Sequence, residues 1–161
     1  MRFLNKIIDN LTKLVMAVSA FVVFLITFLQ VVCRYVLKSP LPWSQDILRL
    51  AFTYMVFWGA AWCVREKGHL NVDAVLTMLP KKVRCVVELL INVVLCAFFV
   101  FLIFYGIKFA ESGLTQTAPY LSIPMTLYYA SIPSSAVLML IYMLQIVAVQ
   151  IKELFVEEGE V

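Results

Sequence analysis

Four long apolar runs constrain this chain more than any other feature of its sequence. They are Leu14 to Cys33, Ile47 to Val64, Val86 to Tyr105 and about Thr126 to Ile151. At about 1.5 Å per residue in a helix, each can cross a hydrocarbon core about 30 Å thick. Composition points the same way. With 63% hydrophobic residues, 14% charged residues and a mean hydropathy of +0.96, too few polar side chains remain to clothe a soluble domain. The expected fold is an all-α integral membrane protein in which four transmembrane helices form a single membrane domain over residues 1–161.

Val18-Ser19-Ala20 has the small residues of a signal cleavage site and follows a basic start. Few apolar residues precede it and a long apolar stretch follows, the reverse of a signal peptide, so the first run is expected to be a retained anchor. Orientation follows from the basic residues. Arg2, Lys6, Lys13, Arg65, Lys67, Lys81, Lys82, Arg84 and Lys152 fall on one side; Arg34, Lys38, Arg49 and Lys108 fall on the other. The positive-inside bias then predicts that both termini are cytoplasmic, which four crossings allow.

The net charge of +3 is dispersed, without the basic run that would neutralise the phosphates of a nucleic acid. Cys33, Cys63, Cys85 and Cys96 lie in or beside apolar runs with no CxxC pair, which argues against a zinc site or a disulfide frame. No metal, cofactor or catalytic residue is expected, and the chain is not expected to be an enzyme.

The polar residues concentrate at the ends of the runs. Residues 1–13 carry Phe3, Leu4, Ile7, Ile8 and Leu11 at helical spacing, as either an interfacial segment or the first turns of a long tilted helix. Gln30 and Arg34 share a face one turn apart; Arg34 is expected to snorkel to the surface and Gln30 to bond a neighbouring helix. Pro40 and Pro42 shape the first connection, and Trp43 suits the interface. Ser44 is predicted to cap the second helix, with Asp46 and Arg49 paired at i, i+3. Gly59-Ala60-Ala61 predicts close helix packing.

Arg65 leads into the second connection with the chain's single histidine, His69, and with Asp73. One histidine and one carboxylate cannot complete a usual zinc site, so hydrogen bonding that fixes the connection is expected. Apolar spacing predicts a short interfacial helix over 72–79, ended by Pro80. In the third run Arg84 and Glu88 are expected to form an ion pair near its cytoplasmic end, beside Asn92. Pro133 with Ser134 and Ser135 predicts a kink in the fourth run, with a serine satisfying the freed carbonyl.

The succession Gln30-Val31, Arg34-Tyr35, Trp43, an acid before Arg49, Gly59-Ala60-Ala61, Arg65, His69-Leu70-Asn71-Val72-Asp73, Ile123-Pro124, Tyr128-Tyr129 and Ile132-Pro133 resembles the small membrane subunit of tripartite ATP-independent periplasmic (TRAP) transporters, the DctQ-like family. The resemblance covers nearly the whole chain. It departs at Gln45-Asp46, where the family tends to carry two acids.

The resemblance implies a non-catalytic scaffold of the bacterial inner membrane. Such a subunit packs against a large M-type subunit that moves an organic acid, a C4-dicarboxylate or a sialic acid, by an elevator motion. A periplasmic binding protein delivers the substrate, and sodium coupling belongs to the large subunit. Gln30, Arg34, Trp43, Asp46, Arg49, Arg65, His69 and Asp73 then become structural and assembly positions. The alternative function is an autonomous, homo-oligomeric cation or drug exporter that uses Glu88.

Overall fold

A computed structural model describes residues 2–66 and 81–158, and these are built almost wholly of helix. The helices are α1 (Arg2–Tyr35), α2 (Ser44–Arg65), α3 (Lys81–Ser112), the single turn α4 (Thr126–Tyr129) and α5 (Ser131–Glu158). A 3-10 turn, Gly113–Thr115, follows α3, and an isolated antiparallel bridge joins Thr117 to Pro124. Four stretches are long and apolar enough to span a membrane: Asn5–Tyr35, Ser44–Arg65, Val87–Thr115 and Thr126–Gln150. The interfacial helix expected over 72–79, together with His69 and Asp73, lies outside the described residues.

The helices outrun their apolar cores. α1 has 34 residues and α3 has 32, lengths of about 50 Å against a hydrocarbon core of about 30 Å. The amphipathic start of the chain is therefore the first part of α1, continuous with the span. Two short devices end the first crossing. Lys38 adopts a left-handed backbone, φ 51°, and the N–H of Ser39 donates to the carbonyl of Cys33 at 3.1 Å. The chain reverses there before Pro40 and Pro42 lead it into α2.

Packing runs as an open row: α1 lies on α2, α2 on α5, and α5 on α3. Among residues of the apolar windows, 11% are buried in each of the first three spans and 28% in the fourth, so α5 is the innermost element. Its Met139, Tyr142 and Met143 meet Ala61 and Val64 of α2 and Phe99 of α3 in the buried core. Elsewhere the helices carry large apolar side chains outward. Leu14, Val18, Phe21, Leu25 and Phe28 form an exposed stripe on α1 at spacings of three and four. That distribution suits a chain whose solvent is lipid or another apolar protein surface.

The expected kink at Pro133 takes a different form. The helical run is interrupted at Ala130, and Pro133 stands in the first turn of α5, where a missing N–H costs little. The serines turn inward on neighbouring carbonyls: Ser131 Oγ donates to Tyr128 O at 2.7 Å, Ser134 Oγ to Ser131 O at 3.1 Å, and Ser135 Oγ to Ile132 O at 2.9 Å. None of these is the carbonyl of Tyr129, the one four residues before the proline.

Candidate functional site: polar clasps at the two ends of the row

The side chains that join distant helices gather at the two ends of the row. At the end holding the start of α1 and the finish of α2, Asn5 and Gln145 exchange both amide hydrogen bonds, at 3.0 and 3.1 Å. One turn further, Asp9 receives Arg65 through Nε and Nη2, each at 3.3 Å. The hydroxyl of Thr12 donates to Ile8 O at 2.9 Å and lies 3.3 Å from the hydroxyl of Tyr142. Lys13 lies 4.5 Å over the ring of Trp62, and Arg65 lies 5.9 Å over that of Tyr142. A single helix face, Asn5-Asp9-Thr12, thus grips both α2 and α5.

This clasp has a tail on α3. Asn92 is fully buried and donates through Nδ2 to Gln150 Oε1 at 2.6 Å, tying α3 to α5. Glu88, half-buried, sits one turn before Asn92. The expected partner, the Arg84 side chain, lies outside the described residues.

At the opposite end the organising group is Asp46, which is 4% exposed. Its Oδ2 accepts the backbone N–H groups of Tyr120 and Leu121 at 2.9 and 3.0 Å. Its own carbonyl accepts the hydroxyl of buried Tyr128 at 3.2 Å. The loop it holds is closed on itself, since Ala118 N–H donates to Ile123 O and Met125 N–H to Gln116 O, both at 2.9 Å. Tyr54 adds a bond from α2 to Leu127 O at 3.1 Å. Asp46 therefore fastens the connection between α3 and α4 to the head of α2.

Two expectations change here. Asp9 forms an ion pair with Arg65, whereas Asp46 does not pair with Arg49 and turns its Oδ2 to the loop amides instead. Arg49 is exposed. Ser44 does not cap α2 either: Trp43 occupies the cap position without a side-chain bond, and the Ser44 hydroxyl turns back to Leu41 O at 2.6 Å. Trp43 is 36% exposed at this end. Arg34 is exposed near the end of α1, 5.9 Å over the Tyr35 ring. Gln30 is half-buried and its side-chain amide forms no hydrogen bond with another described residue.

The glycines also sort differently. A Cβ at Gly59 would meet only Met16 Cε, at 3.9 Å, so close approach there does not require glycine. Gly113 is the tight position: a Cβ would stand 2.6 Å from Thr126 N and 2.9 Å from the carbonyl carbon of Met125. Reasoning along the sequence pointed to Arg65 and Asp46 but missed their partners. Asn5, Asp9 and Gln145 were legible only as polar residues on helices, and Tyr120 and Leu121 act through their backbones.

Such an arrangement can hold helices in register; it offers no convergent set of nucleophile, base and oxyanion donors. The fold defines a multi-pass membrane protein whose inter-helix polar bonds gather at its two ends. Comparison with known proteins supplies the family. The model of the DctQ component of tripartite ATP-independent periplasmic transporters matches residues 23–153, and the chain belongs to that family. A Haemophilus influenzae protein named as a TRAP transporter small permease protein is 26% identical over 136 residues, 84% of this chain and 80% of that protein. The C4-dicarboxylate TRAP transporter small permease protein DctQ of Vibrio cholerae is 24% identical over 112 residues, 70% of this chain and 48% of its own length. The sialic acid TRAP transporter permease protein SiaT of Haemophilus influenzae is 24% identical over 147 residues, 91% of this chain and 24% of SiaT. The chain thus spans most of the first relative, about half of the second and about a quarter of the third.

Proposed function

We propose that this small TRAP permease subunit is a non-catalytic scaffold that packs against a large membrane subunit of the same transporter. The observation that carries the reading is the separation of polar from apolar surface. Polar bonds fasten the helices at the two ends, while the apolar faces between them stay largely uncovered within the chain. No Asp, Glu, Lys or Arg occurs in 14–33, 50–64, 89–107 or 126–151, so a charge-bearing transport path has no residues here to build it. The match to about a quarter of SiaT is what a small subunit fused into a longer permease would give.

On this reading the large subunit carries substrate and sodium, a periplasmic binding protein delivers the substrate, and the complex sits in the bacterial inner membrane with both termini of this chain cytoplasmic. The names of the relatives favour an organic acid of the sialic acid or C4-dicarboxylate class. No cofactor is required of this chain. Family membership displaces the alternative of an autonomous exporter working through Glu88.

The test is affinity isolation of the tagged chain from native membranes in mild detergent, followed by mass spectrometry. One large polytopic protein should co-purify in constant proportion. Recovery of this chain alone, as a homo-oligomer that moves cations in liposomes, would overturn the reading.

A further inference from the structure

Gln45, Arg49, Phe52 and Val56 form one exposed stripe on α2 at spacings of four, three and four. Continued by Ala60 and Val64, the stripe joins two hollows. The first is a cleft of about 220 Å³ at the Asp46 end, where Arg49 and Phe52 face Pro119 and Tyr120 of the fastened loop. The second is an apolar groove of about 470 Å³ floored by α5 and walled by α2 and α3, which begins at Val56 and reaches Val64. Its one hydroxyl, that of Ser135, is already bonded to Ile132 O.

Each end of this path has its own chemistry. The Arg49 side chain forms no hydrogen bond or ion pair with another described residue, and the acid one turn away directs its Oδ2 to the loop amides. It stands one and a half turns beyond Trp43, at the membrane boundary, where a guanidinium is well placed to meet phosphate. Below it, at about 1.5 Å per residue, the groove opens at Val56 about 10 Å away and ends at Val64 about 22 Å away, close to half of a bilayer about 40–45 Å thick with its headgroups. A cation at headgroup depth above a path of that length, apolar over its deeper half, has the dimensions of one amphiphile.

We propose that this path is a phospholipid site, with the headgroup phosphate at Arg49 and an acyl chain in the groove between α2, α3 and α5. The bound lipid fills the space that keeps α2 and α3 apart. Charge at the head selects an anionic lipid over a neutral one, and the groove, without an unpaired polar side chain, suits an acyl chain. This site stands independently of the large subunit's identity.

Native mass spectrometry of the delipidated full-length chain, titrated with dioleoyl phosphatidylglycerol or with dioleoylglycerol, tests the assignment. The wild type should retain one phosphatidylglycerol per chain about five-fold more readily than diacylglycerol, the preference about one basic residue confers at a membrane surface. Arg49→Gln should bring that ratio to about one, Arg34→Gln should leave it unchanged, and Ala60→Leu, which narrows the groove, should weaken both lipids. Retention of both lipids that neither Arg49→Gln nor Ala60→Leu alters would overturn the proposal. So would cross-linking of the Ala60→Cys variant through that position to another polypeptide in native membranes, because a protein helix would then fill the groove.

Discussion

A single carboxylate sets the geometry of one membrane face. Asp46 accepts two backbone N–H groups from a loop 74 and 75 residues away in sequence, and charged acceptors make the stronger class of hydrogen bond. Asp46→Ala should cost about 1–3 kcal/mol, since both donors lose their partner in a largely buried setting. Asp46→Asn, which keeps one carbonyl oxygen, should cost distinctly less. Thermal unfolding in detergent, followed by loss of the monodisperse species, measures both; equal losses would show that charge rather than acceptance matters. Gly113 is the other residue at this face with no freedom. Gly113→Ala places a methyl 2.6 Å from Thr126 N and should lower the melting temperature by several degrees, whereas Gly59→Ala, with 3.9 Å to a flexible methionine end, should be near neutral. A neutral Gly113→Ala would mean that the turn into α4 can open without loss.

Helices supply the next level. α1 and α5 are the first and last described helices, and they meet through a reciprocal amide pair 140 residues apart. Local spacing cannot announce such a contact, which is why Asn5 and Gln145 carried no signal while Arg65, at a helix end, did. The spans themselves were legible because the bilayer imposes a length and an apolar content on every crossing. Their ends were not, because residues such as Lys6, Asp9 and Lys108 extend helices beyond the hydrocarbon, where composition no longer constrains them. The Asp46–Arg49 pair failed because a distant loop outcompeted a local pattern, whereas the Ser44 cap gave way to another local bond, to Leu41 O. Energetically, the ion pair between α1 and α2 should be modest. Arg65 keeps 41% of its side chain exposed, so a double-mutant cycle of Asp9→Asn with Arg65→Gln should give a coupling of about 0.5 kcal/mol, within the range of exposed pairs. The Asn5–Gln145 pair should give about 0.6 kcal/mol, as interhelical hydrogen bonds in membranes do on average. Couplings near zero in both cycles would remove the clasp as a source of stability.

For the whole molecule, the open row explains why so much apolar surface faces outward and why a scaffold role suits the fold. A closed four-helix bundle would bury a central seam along its length; here α2 and α5 are each flanked on two sides, and α1 and α3 form the open edges of the row. Orientation belongs to this scale as well. Fusion of green fluorescent protein to Val161 should give fluorescent cells, and alkaline phosphatase at the same position should stay inactive, if the terminus is cytoplasmic as the proposed orientation has it. The reverse pattern would invert the assignment of the Asp46 face to the periplasm and carry the lipid path to the other leaflet.

The reciprocal amide pair also bears on the order in which the protein is made. Asn5 leaves the ribosome first among the clasp residues, and Gln145 follows 140 residues later. Through most of synthesis α1 must wait with its amide unmatched, and α2 arrives in time to hold it through Arg65 and Asp9. The Asp9–Arg65 pair can thus form before the Asn5–Gln145 pair, which closes only once α5 has been made.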